Sequence, residues 1–290
     1  MSEAKIDSEG FAEGFSMRYC RALITASTQE LANIAAQTTV GFGTSIIGCP
    51  SEAGIEKPIP QETPDGRPGR IIQVYHSKKK KLEANLLDRF ANCVLTAPTT
   101  ALFNLTPTDD KPADIGAKLS YFGDKHQQKG ELNGRTIYRV PVMDGEFIIE
   151  KDFGIQKGVA GGNLIILGRD PDKTLIATQD SVKAALIEGI VAPFPGGICR
   201  SGSKVGSHYK FLFASTNHRY CPTLKDKVDD SLLSEDVNCV YELVINGIDF
   251  ETVHKALVLA AKAVVAHDTI VKVTAANYDG KLGKYKIPIV

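Results

Sequence analysis

The stretch from Pro193 to Lys204, PFPGGICRSGSK, brings two prolines, three glycines, two serines and a lysine into one turn. Backbone donors, hydroxyls and a cation converging in this way suit an anion or a polarised carbonyl, with the prolines fixing the entry and the glycines letting a ligand approach the main chain. The same composition also serves a tight connection that needs glycine only for its φ angles. A nucleotide-triphosphate loop is excluded by counting. It requires a lysine directly after its second glycine, whereas Gly202 is followed by Ser203 and only then Lys204. The following VGSHYKFLF does not read as the helix that a phosphate cradle needs. Cys199, inside the stretch, offers a thiolate nucleophile activated by backbone dipoles or by Arg200. No histidine flanks it, and His208 is the nearest that follows in sequence. A third chemistry belongs to Glu242 in the run NCVYELVIN, where alternation puts it on one strand face with Val240 and Val244. If that face is covered, desolvation raises its pKa and suits it to proton exchange near neutral pH. If it is an edge facing water, it is an ordinary surface glutamate.

Composition narrows the partners. The 34 basic and 34 acidic residues balance, tryptophan is absent and aromatics are only 7%, so neither a basic patch nor a set of stacking platforms for nucleic acid is indicated. The start, MSEAKIDSEG, has no basic segment leading into an apolar one, and ALVLAAKAVVA is interrupted by Lys262 and too short to span a bilayer. A cytoplasmic location, away from membranes, is the expectation. Six cysteines without a CxxC pair and six histidines without HxH or HxxxH spacing write no local metal site or redox dithiol.

Four β-α-β units must position these groups. The first has a strand at Tyr19–Thr25, a helix capped by Ser27 and running to about Gln37, and a strand at Gly41–Gly48. The second runs from Ile71–Tyr75 through a helix carrying Leu82, Leu86, Leu87 and Phe90, with Ser77 as its cap, to Cys93–Leu95. Lys78 to Lys81 then sit at the end where the helix dipole disfavours cations, which reads as a solvated helix start or as a dock for an acidic tail. The long Cys49–Arg70 connection holds Glu52, Arg67 and an Asp65–Gly66 turn that are candidates to line a ligand. Arg67 has the alternative of pairing with a neighbouring acid. Pro98 to Glu150 reads as a subsidiary sheet region. The third unit combines AGGNLIILG, a helix at about Lys173–Glu188 and a strand at Ile190–Phe194. The fourth joins Cys239–Ile245, a helix from the Asp249 cap to about Ala266, and Ile270–Thr274. Two units per lobe predict an α/β chain of two related lobes, 1–150 and 151–290, each a split β-α-β sandwich of the ferredoxin-like kind with helices on one sheet face.

Eight blocks in order add a resemblance: TVGFGTSIIGCPSEAGIE (39–56), ETPDGRPG (62–69), CVLTAPTTALFN (93–104), AGGN (160–163), APFPGGI (192–198), SGSK (201–204), CVYELVING (239–247) and NYDGKLGKY (277–285). Spanning nearly the whole chain, they resemble the formylmethanofuran:tetrahydromethanopterin formyltransferase family. The resemblance implies two-lobed α/β subunits packed as dimers or tetramers. It also implies formyl transfer between methanofuran and tetrahydromethanopterin, which serve as co-substrates, without metal or prosthetic group. It assigns Glu242 the role of catalytic acid or base. Substrate binding falls to Glu52, Arg67, Phe194, Gly196, Gly197, Ser201, Ser203, Lys204 and Asn246, with backbone donors near Gly196 and Gly197 and the hydroxyls of Ser201 and Ser203 for an oxyanion, and Arg67 and Lys204 for anionic tails. The chain departs from the family pattern at Thr39, Val40, Cys199 and Arg200. Its neutral charge leans toward the methylotrophic bacterial branch, where the homologous subunit joins a formyltransferase/hydrolase complex. A non-catalytic subunit of such a complex and a thiol acyltransferase using Cys199 are the alternatives.

Overall fold

In this computed structural model, which describes residues 5–108 and 111–290, the long second strand shows how alternation is used. After the short β1 (Lys5–Ile6), β2 (Phe11–Thr25) sends Cys20, Ala22 and Ile24 into an apolar cluster with Ala35 and Ala36 of α1 (Gln29–Val40), while Leu23 joins a separate cluster. This is the period-two burial of a sheet covered by helices. The cap of α1 is Thr28, whose hydroxyl accepts from the Leu31 N–H at 3.2 Å. Ser27, expected there, instead places its hydroxyl 3.0 Å from Thr99 Oγ1.

Two strands expected from the sequence lie elsewhere. Gly41–Gly48 is turn and loop, because Phe42 adopts φ 54 in the left-handed region and breaks any extended run, and the returning strand is β3 (Glu52–Ile55). It pairs with β4 (Gly69–His76), which leads into α2 (Lys79–Arg89). Cys93–Leu95 is helical as well. Leu82, Leu86, Phe90 and Val94 are all fully buried along one stripe, so the helical path continues through a π-helical turn at Phe90–Val94. The closing strand is β5 (Ala101–Asn104). At the start of α2 the cap position is Lys78 and not Ser77, with no side-chain cap bond, and Lys79 Nζ donates to the Lys111 carbonyl at 2.8 Å. The sheet order is β5-β2-β4-β3 with antiparallel neighbours, the split β-α-β arrangement. After α3 (Ile115–Ser120), β6 (Gln128–Leu132), β7 (Arg135–Val142) and β8 (Gly145–Glu150) form an antiparallel meander that joins β5 through β8.

The pattern then recurs. β9 (Gln156–Gly168) is followed by α4 (Pro171–Ala185), whose cap Asp170 accepts from the Lys173 N–H at 2.9 Å. The helix stops three residues before Glu188. The strand expected at Ile190–Phe194 is interrupted. It survives as β10 (Ile190–Val191) and resumes as β11 (Ile198–Cys199), since Pro193 and Pro195 have no N–H to continue a ladder. A small hairpin follows, β12 (Ser203–Val205) with β13 (Ala214–Thr216), and then β14 (Cys239–Gly247), α5 (Phe250–Val265), β15 (Ile270–Thr274) and β16 (Tyr285–Pro288). The order is β15-β9-β14, with β10 and β11 both on the far edge of β14, and again all neighbours are antiparallel. β1 extends this sheet beside β15 in parallel, and β16 lies antiparallel to Phe11–Gly14 of β2. Val253, Ala256, Leu257 and Ala260 of α5 pack on Leu164, Ile166, Leu243 and Ile245, so the helices cover one face of the sheet.

Packing gathers the described residues into two units. One comprises residues 5–16, 44–49 and 159–290, and the other residues 17–43, 50–108 and 111–158. No helix of the described residues is long and apolar enough to cross a membrane.

The caps give a paired test by denaturant unfolding. Asp249 accepts from the Thr252 N–H at 2.8 Å, so Asp249→Ala is expected to cost about 1 kcal/mol. Lys78→Asp, supplying the missing acceptor, is expected to add about 0.5 kcal/mol.

Candidate active site

The interrupted edge strand fixes the site. Because β11 rejoins β14 in antiparallel register, Ile198 lies opposite Leu243 and Cys199 opposite Glu242, while Ile165 of β9 flanks Glu242 on the other side. Leu243 and Ile245 point into the helix-covered core, which turns Val240, Glu242 and Val244 to the other face. There Ile165, Leu167 and Val237 pack with Tyr220, Leu233 and Val240, so the face is covered by the segment between the hairpin and β14. Glu242 is half-buried as a residue, with its carboxyl crowded by these neighbours. Burial raises its pKa to about 7, against a smaller opposing effect of a hydrogen bond from the Cys199 side chain. The covered-face reading of the sequence is therefore the correct one, and the water-facing edge reading is not.

Cys199 is buried, and its sulfur is 3.3 Å from Ser201 Oγ. Glu242, Cys199, Arg200, Ser201, Asn217 and Tyr220 all line one cavity of about 40 Å3, room for a water but not for a coenzyme. The carboxylate beside Cys199 was invisible in the sequence, where only histidine was sought as a partner. Tyr220 and Tyr278 were missed as well. Both phenols are raised above their ordinary pKa by burial first, with the negative charge of Glu242 adding to it. Tyr278 belongs to the C-terminal NYDGKLGKY block, which is held by Glu13: its buried carboxylate accepts from the Tyr278 N–H at 2.7 Å and the Leu282 N–H at 3.2 Å. Ordinary sequence signals do not connect residues 13, 220, 242 and 278.

The loop places several of the expected residues. Gly197 has φ 77, and a Cβ there would lie 2.6 Å from Val182 Cγ1, so glycine is required by both conformation and packing. Its N–H donates to the Phe194 carbonyl at 2.8 Å, which removes it from the expected oxyanion donors. Gly196 is exposed, and Phe194 is half-buried at the entry of the turn. Ser203 and Lys204 stand on the hairpin opposite Thr216 and Ser215. Asn246 is fully buried, and its Oδ1 accepts from the Gly161 N–H at 3.0 Å, a bond that fixes the backbone.

Arg67 and Glu52 belong to the other unit. The Arg67 guanidinium is tied to Asp65 at 2.8 Å, to Thr25 Oγ1 at 3.2 Å and to the Thr99 carbonyl, so the acid-pairing alternative holds for it. A second cavity, of about 450 Å3, lies beside it between Pro60 and Pro68. Glu52 lies opposite Tyr75 in the β3–β4 register, and its charge helps raise that buried phenol. Among the described residues, no three His, Cys, Asp or Glu side chains converge in a way that would hold a metal ion.

Fold and site together define an α/β protein with the split β-α-β motif twice over and a desolvated carboxyl suited to proton exchange near neutral pH. Residues 1–142 match the family model described as formylmethanofuran-tetrahydromethanopterin formyltransferase, and residues 145–290 match the model described as its proximal lobe. The chain is 50% identical over 282 residues to the formylmethanofuran–tetrahydromethanopterin formyltransferase of Methanothermobacter thermautotrophicus, covering 96% of this chain and 95% of that one. The solved formyltransferase of Methanosarcina barkeri superposes with a TM-score of 0.94 at 45% identity, over 99% of this chain and 97% of that one. A chain of the formyltransferase/hydrolase complex from Methylorubrum extorquens, solved with methylofuran, superposes with a TM-score of 0.93 at 39% identity, over 99% and 96%. The chain belongs to the formylmethanofuran-tetrahydromethanopterin formyltransferase family. These identities lend no support to the bacterial lean read from the charge balance.

A carboxyl whose folded pKa is raised makes folding favour its protonated form. Its ionisation therefore costs stability as pH rises from the unfolded value near 4.5 through about 7. Glu242→Gln should match the parent below pH 4.5 and be more stable at pH 8–9 by roughly 1–3 kcal/mol, read by thermal unfolding across pH.

Proposed function

We propose that this chain transfers a formyl group between formylmethanofuran and tetrahydromethanopterin, with Glu242 as its acid–base group. The observation that carries the reading is the Glu242 carboxyl, desolvated to a pKa of about 7 beside the glycine loop, in a chain that matches the formyltransferases over nearly its full length. In the transfer, the lone pair of the acceptor nitrogen forms a bond to the formyl carbon and the carbonyl π pair moves onto oxygen; that pair then re-forms the carbonyl as the bond from carbon to the donor nitrogen breaks, its electrons staying on that nitrogen. The attacking nitrogen sheds a proton and the departing nitrogen needs one, so a single carboxyl that takes the first and returns the second leaves no net change on the protein. A pKa near 7 fits both halves of that exchange. The tetrahedral oxygen needs donors. Ser201 and Ser203 and the backbone at Gly196 are the candidates, Gly197 being excluded by its bond to Phe194.

Transfer is direct, with both coenzymes held at once. An amine is already a competent nucleophile, so a covalent stop on Cys199 gains little once the reactants are held together. The sequence argument that Cys199 lacks a base fails, because Glu242 faces it. The case for direct transfer rests instead on the nucleophilicity of the amine itself, which needs no covalent relay. Lys204 is the candidate for an anionic coenzyme tail. We further infer two lobes divided near residue 150, a reading supported by the two family models meeting between residues 142 and 145. Cytoplasmic location, no metal or prosthetic group, and a homo-oligomer are parts of the same reading. The Methylorubrum relative was solved as a chain of a larger complex, which supports additional subunits as partners.

Glu242→Gln keeps shape and removes proton exchange, so formyl transfer should fall about 10²- to 10⁴-fold while the fold is retained. A coupled assay with both coenzymes measures it, and near-parental turnover would contradict the assignment. Incubation with formyl donor alone should leave the intact mass unchanged. A formyl adduct on Cys199 that passes to acceptor would instead establish a thioester route.

A further inference from the structure

Cys199 is the residue whose position the loop and the sheet determine most closely and to which the reaction as derived gives no task. It lies directly across the ladder from Glu242, the two side chains line the same small cavity, and its sulfur is 3.3 Å from Ser201 Oγ. We propose that Cys199 is a positioning residue for Glu242: its thiol donates to the Glu242 carboxylate, and this hydrogen bond holds the carboxylate toward the glycine loop. The inference rests on the proposed acid–base role of Glu242 only for its catalytic consequence. The contact itself does not.

The surroundings of Glu242 make this bond consequential. From β9 the neighbour in register is Ile165, which donates nothing. Arg200 and Asn217 line the same small cavity, and Tyr220 and Cys221 reach it from the short helical turns that cover the face. Tyr278 comes from the C-terminal block, within range of the Glu242 charge. Among these groups, Cys199 is the one that the strand register sets directly opposite Glu242, and a hydrogen bond from its side chain acts against the desolvation that raises the carboxyl. A thiol is a weak donor, so it steadies a carboxylate without stabilising its charge as strongly as a guanidinium or a backbone amide would. A stronger donor would pull Glu242 toward an ordinary carboxylate and lose the poise for proton exchange. No donor would leave it protonated at neutral pH and poor as a base.

Three measurements on the full chain test the inference. Glutamate labelled with 13C at the side-chain carboxyl, with the Glu242 resonance assigned by its loss in Glu242→Gln, gives the titration midpoint directly by NMR. Cys199→Ala should move that midpoint upward by about one pH unit, a tenfold change in proton affinity. Cys199→Ser, which restores a donor and a stronger one, should bring it back to the parent value or below it. The rising limb of the pH–rate profile should move with the midpoint, with kcat at neutral pH falling in Cys199→Ala and KM for both coenzymes held. The S–H stretching band of Cys199, assigned among the six free thiols by its loss in Cys199→Ala, should shift to lower frequency in the parent as Glu242 ionises. An unmoved midpoint in Cys199→Ala, a midpoint in Cys199→Ser raised as far as in Cys199→Ala, or an S–H band indifferent to pH overturns the inference. If the midpoint moves while the rate profile does not, the positioning stands and the catalytic role of Glu242 falls.

Discussion

The pairing of a broken edge strand with β14 is the constraint on which the site depends. Prolines 193 and 195 force the strand out of the ladder after Val191, and the ladder resumes at Ile198, with β10 opposite Asn246–Gly247 and β11 opposite Glu242–Leu243. The excursion between them is the glycine loop. Its ends are fixed by the same strand that carries Glu242, so loop and carboxyl cannot drift apart without breaking sheet hydrogen bonds. Gly197, packed against Val182 of α4, fixes the excursion from below, where any side chain would collide. The geometry of the candidate site is thus a property of the sheet and less of flexible loop preference, which is the arrangement that preorganised chemistry requires.

The two units treat a glutamate on a covered face in opposite ways. Glu56 is fully buried just beyond β3, yet it accepts from Arg21 at 2.6 and 2.9 Å and from Gln73 at 2.6 Å. Its charge is compensated, and the group serves cohesion. Glu242 occupies a covered face of the corresponding sheet with no guanidinium bonded to it and a thiol as its donor, and its pKa climbs to about 7. A fold of this kind is able to neutralise a buried acid, as Glu56 demonstrates. Leaving Glu242 uncompensated sacrifices stability at neutral pH, and such a sacrifice is characteristic of functional groups.

Much of this was legible in the sequence. Period-two and helical spacing located β2, β4, β9, β14, β15 and four of the helices, and the doubled β-α-β count implied the split topology in both units. The failures have physical causes. Gly41–Gly48 contains apolar residues at strand-like spacing, but a left-handed Phe42 is a tertiary outcome that no propensity records. Cys93–Leu95 is too short for periodicity to separate strand from helix, and the helical stripe from Leu82 to Val94 decided it. At the site, the alternation around Glu242 was readable, whereas its burial depends on Tyr220 and Leu233 arriving from a segment outside the helices and strands of the sandwich. The pairing of Cys199 with Glu242 needed the strand register. Arg67 and Asn246 carry the residue types of ligand groups, and their hydrogen bonds with Asp65 and the Gly161 N–H, which tie loop and backbone together, needed the folded arrangement to be seen.

The account stands on Glu242 touching the reacting atoms. A crystal structure of the Glu242→Gln protein with formyl donor and acceptor both bound tests it most directly, since the variant is expected to trap the pair before transfer. The account predicts the substituted amide side chain at position 242 to lie about 2.6–3.2 Å from one of the two exchanging nitrogens, or joined to it through one water, with the formyl oxygen turned toward the glycine loop. Coenzymes seated with their formyl group beyond reach of that side chain would contradict it.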